Sequence, residues 1–162
     1  MTIFSWRGEF DTLMTPMDSI KYYKKILQSG FVSMEPQTGY VRAWVGGVDY
    51  RHFKYDHVKD GRRQVGSTIK PFLYTLAMQE GYSPCYKVPN VQVTITDPTT
   101  GVSWTPVNSD AKYGGMLSLK EALANSVNCV SAYLMKQFGP QAMIEICRKM
   151  GIEGQIDAGN PR

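Results

Sequence analysis

The sequence predicts an α+β domain. Three observations carry that prediction. Short apolar runs flanked by turn formers occupy residues 31–47 and 91–104, a helical run spans about 67–79, and helical patterning fills most of residues 118–151. A few strands followed by a block of helices is the order expected of an α+β fold, not of an alternating parallel sheet.

The elements follow in chain order. "TPMDSIKYYKKILQSG" has a helix start: Thr15 as cap, Pro16 at the first helical position and Asp18 in the first turn. Ile20, Tyr23 and Leu27 keep helical spacing, and Gly30 is the expected stop. "FVSMEPQTGYVRAWVGG" reads as a β-hairpin around the turn "EPQTG", with Val41, Ala43 and Val45 on one face and Tyr40, Arg42 and Trp44 on the other. A long loop leads to Gly66, and long loops in compact domains are often functional. The next helix is expected from about Ser67 to Gln79; Pro71 fits only if the helix begins near Gly66 or Ser67, where amides have no intrahelical acceptor. "VQVTIT" alternates as a strand, "DPTTG" is a turn, and "VSW" begins a partner strand. "SLKEALANS" opens with the capping box Ser118–Glu121. Two further helices follow, "VNCVSAYLMKQFG" and "PQAMIEICRKMG".

Bulk properties narrow the function classes. The chain has 162 residues, 43% hydrophobic and 20% charged, enough for a domain with its own core. No apolar run approaches the roughly 20 residues that span a bilayer, and "MTIFSWRGEF" lacks the pattern of a signal peptide. The net charge of +4 is mild, and the basic stretch "YRHFKYDHVKDGRR" is interrupted by Asp56 and Asp60. It reads as a solvated loop able to attract anions, so no nucleic-acid partner is expected. Three cysteines without a C-x-x-C, and two histidines far from them, argue against a metal site. At most one intrachain disulfide can form, and no cofactor is expected.

The chemistry sits in "GRRQVGSTIKPFLYTLAMQEGYSP". Ser67 and Lys70 are three apart, so a helix puts them on one face. A serine hydroxyl needs a base within reach to act as a nucleophile, and a lysine serves only if burial lowers its pKa. The alternative is a solvated lysine on an ordinary helix. With 11 serines and 11 lysines in the chain, about 0.7 such pairs arise by chance. A second pair, Ser109 and Lys112, lies among turn formers with no helix to align it. Ser126 and Asn128 form "SVN", 59 residues after Ser67, at a junction of two expected helices. Such a junction can project a hydroxyl and an amide into a cleft; the competing reading is a helix cap.

Ser-x-x-Lys followed by Ser-x-Asn resembles the motif set of penicillin-binding proteins and class A β-lactamases. The longer words "MEPQTGYVRAWVGGVDY", "RRQVGSTIKPFLYTLAMQEG", "WTPVN", "YGG" and "LKEALANSVN" are similar to the transpeptidase domain of class A, bifunctional penicillin-binding proteins. The resemblance implies part of the serine β-lactamase and penicillin-binding-protein fold: an N-terminal hairpin and a helical block, without the C-terminal sheet strands. Residues 1–30 would be an inter-domain linker and the first helix, and 31–162 the N-terminal portion of the transpeptidase domain. It implies a D,D-transpeptidase that acts on peptidoglycan stem peptides and is acylated by β-lactams. Ser67 would be the nucleophile, Lys70 the acylation base, Ser126 a proton relay, Asn128 a substrate-amide ligand, and Trp104 a cleft-lining residue. It also implies a longer, membrane-anchored parent with a glycosyltransferase domain, working on the extracytoplasmic face of the bacterial inner membrane.

The match is incomplete. The family's third motif, Lys-Thr-Gly, is absent, and the chain stops 36 residues past Ser126. That motif supplies one oxyanion donor and a cationic anchor for the substrate carboxylate, so this chain alone is expected to be inactive and to expose a sheet edge through which it could self-associate. Other readings left open by the residues are a β-lactamase-like hydrolase, a β-lactam-sensing receptor domain and a non-catalytic wall-binding scaffold.

Overall fold

The computed structural model describes residues 1–97, 100–154 and 156. The chain forms two compact units, Met1–Gln64 and Val65–Arg162.

The first unit opens with an antiparallel hairpin, β1 (Thr2–Ser5) and β2 (Gly8–Asp11), in register from Thr2 opposite Asp11 to Ser5 opposite Gly8. The sequence reading expected only a linker and a helix here. Four-residue arms are too short for a clear alternation signal. Helix α1 (Pro16–Lys24) starts as expected, with the Thr15 hydroxyl accepting from the Asp18 amide. It ends at Lys24, before the expected stop at Gly30, and Leu27 beyond it is exposed. Two tyrosines of α1 hold the first hairpin: Tyr22 donates to the Phe4 carbonyl, and the Phe4 amide donates to the Tyr23 hydroxyl.

The second hairpin is the expected one. Strand β3 (Phe31–Met34) pairs with β4 (Val41–Val45), with a register irregularity at Ser33/Met34. The turn is closed by Glu35, whose carboxylate accepts from Thr38 and Arg42. Past β4, the Asp56 carboxylate accepts from Trp44 Nε1 and from the amides of Val58 and Lys59. A Cβ at Gly46 would lie 2.6 Å from that carboxylate, so a side chain there would have to push Asp56 out of these bonds.

The second unit holds the helical core. Gly66–Ile69 forms a 3-10 turn that leads into α2 (Lys70–Gln79). This corrects the expected α-helix from Ser67. In an α-helix the Ser67 carbonyl would accept from the amide of residue 71, but Pro71 has none. The Lys70 amide takes that carbonyl instead, one residue earlier, and the turn tightens.

Strand β5 (Lys87–Pro89) pairs with β8 (Met116–Ser118), and β6 (Ile95–Thr96) with β7 (Ser103–Trp104). The expected strand "VQVTIT" is therefore reduced to its last two residues. Residues 87–89 pair with 116–118, and Asn90 continues that ladder through Gly114 and Gly115, so the chain has to change direction before Ile95. In the expected turn after β6, Asp97 binds Val102 and Gly101 through its backbone; Pro98 and Thr99 lie outside the described residues. Among the described residues every sheet has two strands.

Helix α3 (Leu119–Ala124) carries the Ser118–Glu121 capping box in both directions. Helix α4 (Asn128–Lys149) is broken at Gly139, whose φ of 77° and ψ of 167° leave the helix just before Pro140. The two helices expected from sequence are its two arms. Leu73, Leu76 and Ala77 of α2 pack with Val88, Leu119, Ala122, Val130, Leu134, Ile146 and Cys147 into one core. Each large apolar side chain buried there contributes about 1.5–3 kcal/mol, and together they fix α2 against α4, where the candidate site lies.

Candidate active site

Lys70 stands at the start of α2, on the side that faces the core, and is only 6% exposed. Its stem has no alternative but to run inward, because Leu73, Tyr74 and Ala77 on the same face are buried too. The amine meets three oxygens: the Ser126 carbonyl at 2.6 Å, the Ser126 hydroxyl at 2.9 Å and Asn128 Oδ1 at 2.7 Å. Three acceptors match the three donors of an ammonium group.

None of the three acceptors is a carboxylate, and Lys70 takes part in no ion pair among the described residues. Burial then acts without compensation and lowers the Lys70 pKa. In the neutral amine one N–H is replaced by a lone pair, and the Ser126 hydroxyl can turn to donate to it. Lys70 and Ser126 are thus placed to exchange a proton.

Ser126 reaches this position through its backbone. It follows the end of α3 with φ at 52°, a left-handed conformation unusual for a residue with a Cβ. Its amide donates to the Leu123 carbonyl and the next amide, of Val127, to the Ala122 carbonyl. This is the double bond pattern of a Schellman motif. Asn128 opens α4, and its Nδ2 donates to the Val107 carbonyl at 2.7 Å.

Ser67 lies in the 3-10 turn, where residues three apart eclipse one another, so its side chain and that of Lys70 leave the same side of the turn. It is exposed. The sequence reading has Lys70 reaching back to the Ser67 oxygen; instead the amine is engaged by Ser126 and Asn128, and the Ser67 hydroxyl forms no hydrogen bond among the described residues. Lys70, Ser126 and Asn128 are brought together, with Ser67 one turn before Lys70, on the 3-10 turn that leads into α2. Trp104 is paired with Ile95 in β7 and about half exposed, and takes no part in these hydrogen bonds. Ser109 and Lys112 share a turn in which the Lys112 amide binds Asp110, and no bond joins the two side chains.

One residue escaped the sequence reading. Asn108, the last letter of "WTPVN", is 6% exposed, and its Oδ1 accepts from the backbone amides of Asn128 and Cys129. Its only sequence signal is an asparagine after an apolar pair, which is indistinguishable from a turn residue.

No group of three or more His, Cys, Asp or Glu side chains with metal-binding geometry occurs among the described residues. No helix among them is long and apolar enough to cross a membrane. The first unit has a concavity of about 670 Å³ lined by Phe4, Trp6, Tyr22, Asp49 and His52, and it contains none of the residues above.

Comparison with known proteins completes the description. The family model described as the penicillin-binding protein transpeptidase domain matches residues 29–162, and that of the penicillin-binding protein middle domain matches residues 1–27. Penicillin-binding protein 1A of Escherichia coli (strain K12) is 36% identical over 129 residues, which is 80% of this chain and 15% of that protein. Penicillin-binding protein 1A of Neisseria cinerea is 34% identical, over 79% of this chain and 16% of its own length. The chain therefore spans about one sixth of these relatives. In structure it is similar to penicillin-binding protein 1A from Haemophilus influenzae, with a TM-score of 0.70 and 28% identity over 78% of this chain and 19% of that one. The penicillin-binding protein PonA1 from Mycobacterium tuberculosis superposes with a TM-score of 0.63 and 26% identity, covering 86% and 36%.

Proposed function

Since the chain belongs to the penicillin-binding protein transpeptidase domain family, we infer that it carries the nucleophile and proton-transfer groups of a serine D,D-transpeptidase. The observation that supports this most strongly is the buried Lys70 amine, held by Ser126 and Asn128 with no carboxylate beside it.

The reaction we propose runs in two halves. Ser67 Oγ attacks the carbonyl carbon of the penultimate D-alanine of a stem peptide, and its proton passes to the neutral Lys70 amine. The Ser67 backbone N–H, near a helix start whose partial charge is positive, helps stabilise the oxyanion. The C–N bond to the terminal D-alanine breaks, and Ser126 relays the proton to that leaving amine. An amine from a neighbouring stem then attacks the ester carbonyl carbon and gives up a proton to the same Lys70–Ser126 pair; the acyl C–Oγ bond breaks, that proton returns to Ser67 Oγ, and the cross-linked amide leaves. Asn128 holds the donor's peptide amide while Trp104 lines the cleft. A β-lactam would acylate Ser67 by the same first half, with ring opening in place of D-alanine release.

The 162 residues contain no Lys-Thr-Gly, so this chain alone has no second oxyanion donor and no cationic anchor of that type. We propose that it is inactive by itself and functions within a longer, membrane-anchored protein outside the cytoplasm, with residues 31–162 as the first part of the catalytic domain.

The test is acylation by a fluorescent penicillin in a complete transpeptidase domain carrying this segment. Ser67→Ala is expected to abolish labelling, and Lys70→Met to slow it by about 10²–10⁴-fold, the usual scale of general-base catalysis. Undiminished labelling of Ser67→Ala would overturn the reading. The 162-residue chain is expected to stay unlabelled, and labelling at the complete domain's rate would refute its proposed inactivity.

A further inference from the structure

We propose that Asn108 is a positioning residue that holds Asn128, and through it the Lys70 amine, by capping α4 from a distant segment. The inference rests on the reading of Lys70 and Asn128 given above, and it adds a residue to that site.

Helix α4 needs a cap from outside. Val127 stands at its N-cap position and has no side chain able to accept the first amides, and the structure shows no capping bond from it. Asn108 fills the gap from 20 residues upstream. Its Oδ1 accepts from Asn128 N at 3.0 Å and from Cys129 N at 3.1 Å. Its Nδ2 donates to the Lys112 carbonyl and to Asn90 Oδ1, both at 2.8 Å. Backbone N–H groups only donate and a backbone carbonyl only accepts, so the orientation of the Asn108 amide is fixed by its partners. All four hydrogen-bonding capacities of the side chain are used.

The support continues behind Asn108. Asn90 is also buried, at 7% exposure, and its Nδ2 donates to the same Lys112 carbonyl. Its backbone is clamped by Gly114 and Gly115 at the end of the β5–β8 ladder. On the other side, Asn128 is held at three points: its amide by Asn108, its Nδ2 by the Val107 carbonyl and its Oδ1 by Lys70. Two of the three come from residues 107 and 108. A simple N-cap would be satisfied by a local Ser or Asp at position 127. An asparagine reaching in from another segment, and itself anchored by a second buried asparagine, ties the placement of Asn128 to the β5–β8 frame.

The test compares Asn108→Ala, Asn108→Asp and a control, Val88→Ala, which removes core volume from β5 without touching the amide chain. In the full 162-residue chain, hydrogen exchange of the Asn128 and Cys129 amides is read by NMR at matched global stability. Asn108→Ala is expected to speed both by tenfold or more relative to the control. Asn108→Asp keeps an acceptor at the helix start but loses the donor to Asn90 Oδ1 and the Lys112 carbonyl, so it is expected to restore only part of the protection. The second readout is penicillin acylation in the complete domain, where Asn108→Ala should slow the chemical step about tenfold with little change in the apparent binding constant, and Asn108→Asp should recover part of the rate. Equal exchange in Asn108→Ala and the control, or an unchanged acylation step, overturns the proposal. The failures are separable: if Ser67→Ala still labels, the transpeptidase reading falls, whereas loss of labelling in Ser67→Ala with a normal rate in Asn108→Ala removes only the role given to Asn108.

Discussion

Ser126 occupies a backbone position that the neighbouring helices give to glycine. Helix α2 ends on Gly81 at φ 89°, with Tyr82 N bonded to Ala77 O and Gly81 N to Met78 O. Helix α4 ends on Gly151 at φ 91° with the equivalent pair to Cys147 and Arg148. Helix α3 ends in the same way, but on a serine. A Cβ in this conformation costs roughly 1 kcal/mol, and what it gains is a hydroxyl 2.9 Å from Lys70. We predict that Ser126→Gly is more stable than Ser126→Ala by about 1 kcal/mol in urea denaturation, because both lose the hydroxyl and only alanine keeps the strain. Equal stabilities would mean that the turn is relaxed. Lys70 carries a second prediction. Its folded pKa is lowered from 10.5 by burial, so between the folded and unfolded values the unfolded chain binds more protons. Stability must then rise with pH across that window. The stability of wild type minus that of Lys70→Met should increase from pH 7 towards 10. Taking the difference cancels the opposite trend of Cys129 and Cys147, whose thiol pKa values are raised by burial. A flat difference would show that Lys70 titrates as a solvated amine, and a falling one that folding raises its pKa; either would contradict the prediction.

At the scale of elements, single residues decide where helices begin. Pro71 denies the Ser67 carbonyl its α-helical donor, and the 3-10 turn that results puts residues 67 and 70 on one side. The hairpin of β3 and β4 raises a different issue. Phe31 is 61% exposed, Val41 51% and Val45 49%, and every residue of β4 is exposed. Among the described residues the pair is two strands wide, and no further strand pairs with either edge. Such a ribbon is a template for another strand, and we predict that the isolated chain self-associates at micromolar concentrations. Val41→Lys combined with Val45→Lys should shift it towards monomer in sedimentation velocity. A wild-type chain that sediments as a monomer at high concentration would contradict this.

Across the whole molecule, the legible parts are those with local causes. Thr15, Pro16 and Asp18 announce α1, Ser118 and Glu121 announce α3, and Gly139 with Pro140 announces the break in α4. The parts that stay hidden depend on residues far apart. The β5–β8 ladder joins residues 87–89 to 116–118 across nearly 30 positions, includes a proline, and leaves no alternating run to read. Asn108 matters only because that ladder brings it to the start of α4. In the site itself, the spacings Ser-x-x-Lys and Ser-x-Asn single out Ser67, Lys70, Ser126 and Asn128 as candidates, while the engagement of Lys70 by Ser126 and Asn128 depends on the left-handed turn at Ser126, which a serine does not announce. The central claim is that Ser67 is the acylated residue, and the sequence makes it directly measurable. Trypsin cuts after Arg63, is blocked at Lys70–Pro71 and cuts again after Lys87, so Ser67, Ser109 and Ser126 fall on three different peptides. After reaction of the complete domain with penicillin, mass spectrometry should find the adduct on the Gln64–Lys87 peptide, at Ser67. An adduct on the peptide holding Ser109 or the one holding Ser126, with Gln64–Lys87 unmodified, would contradict the assignment.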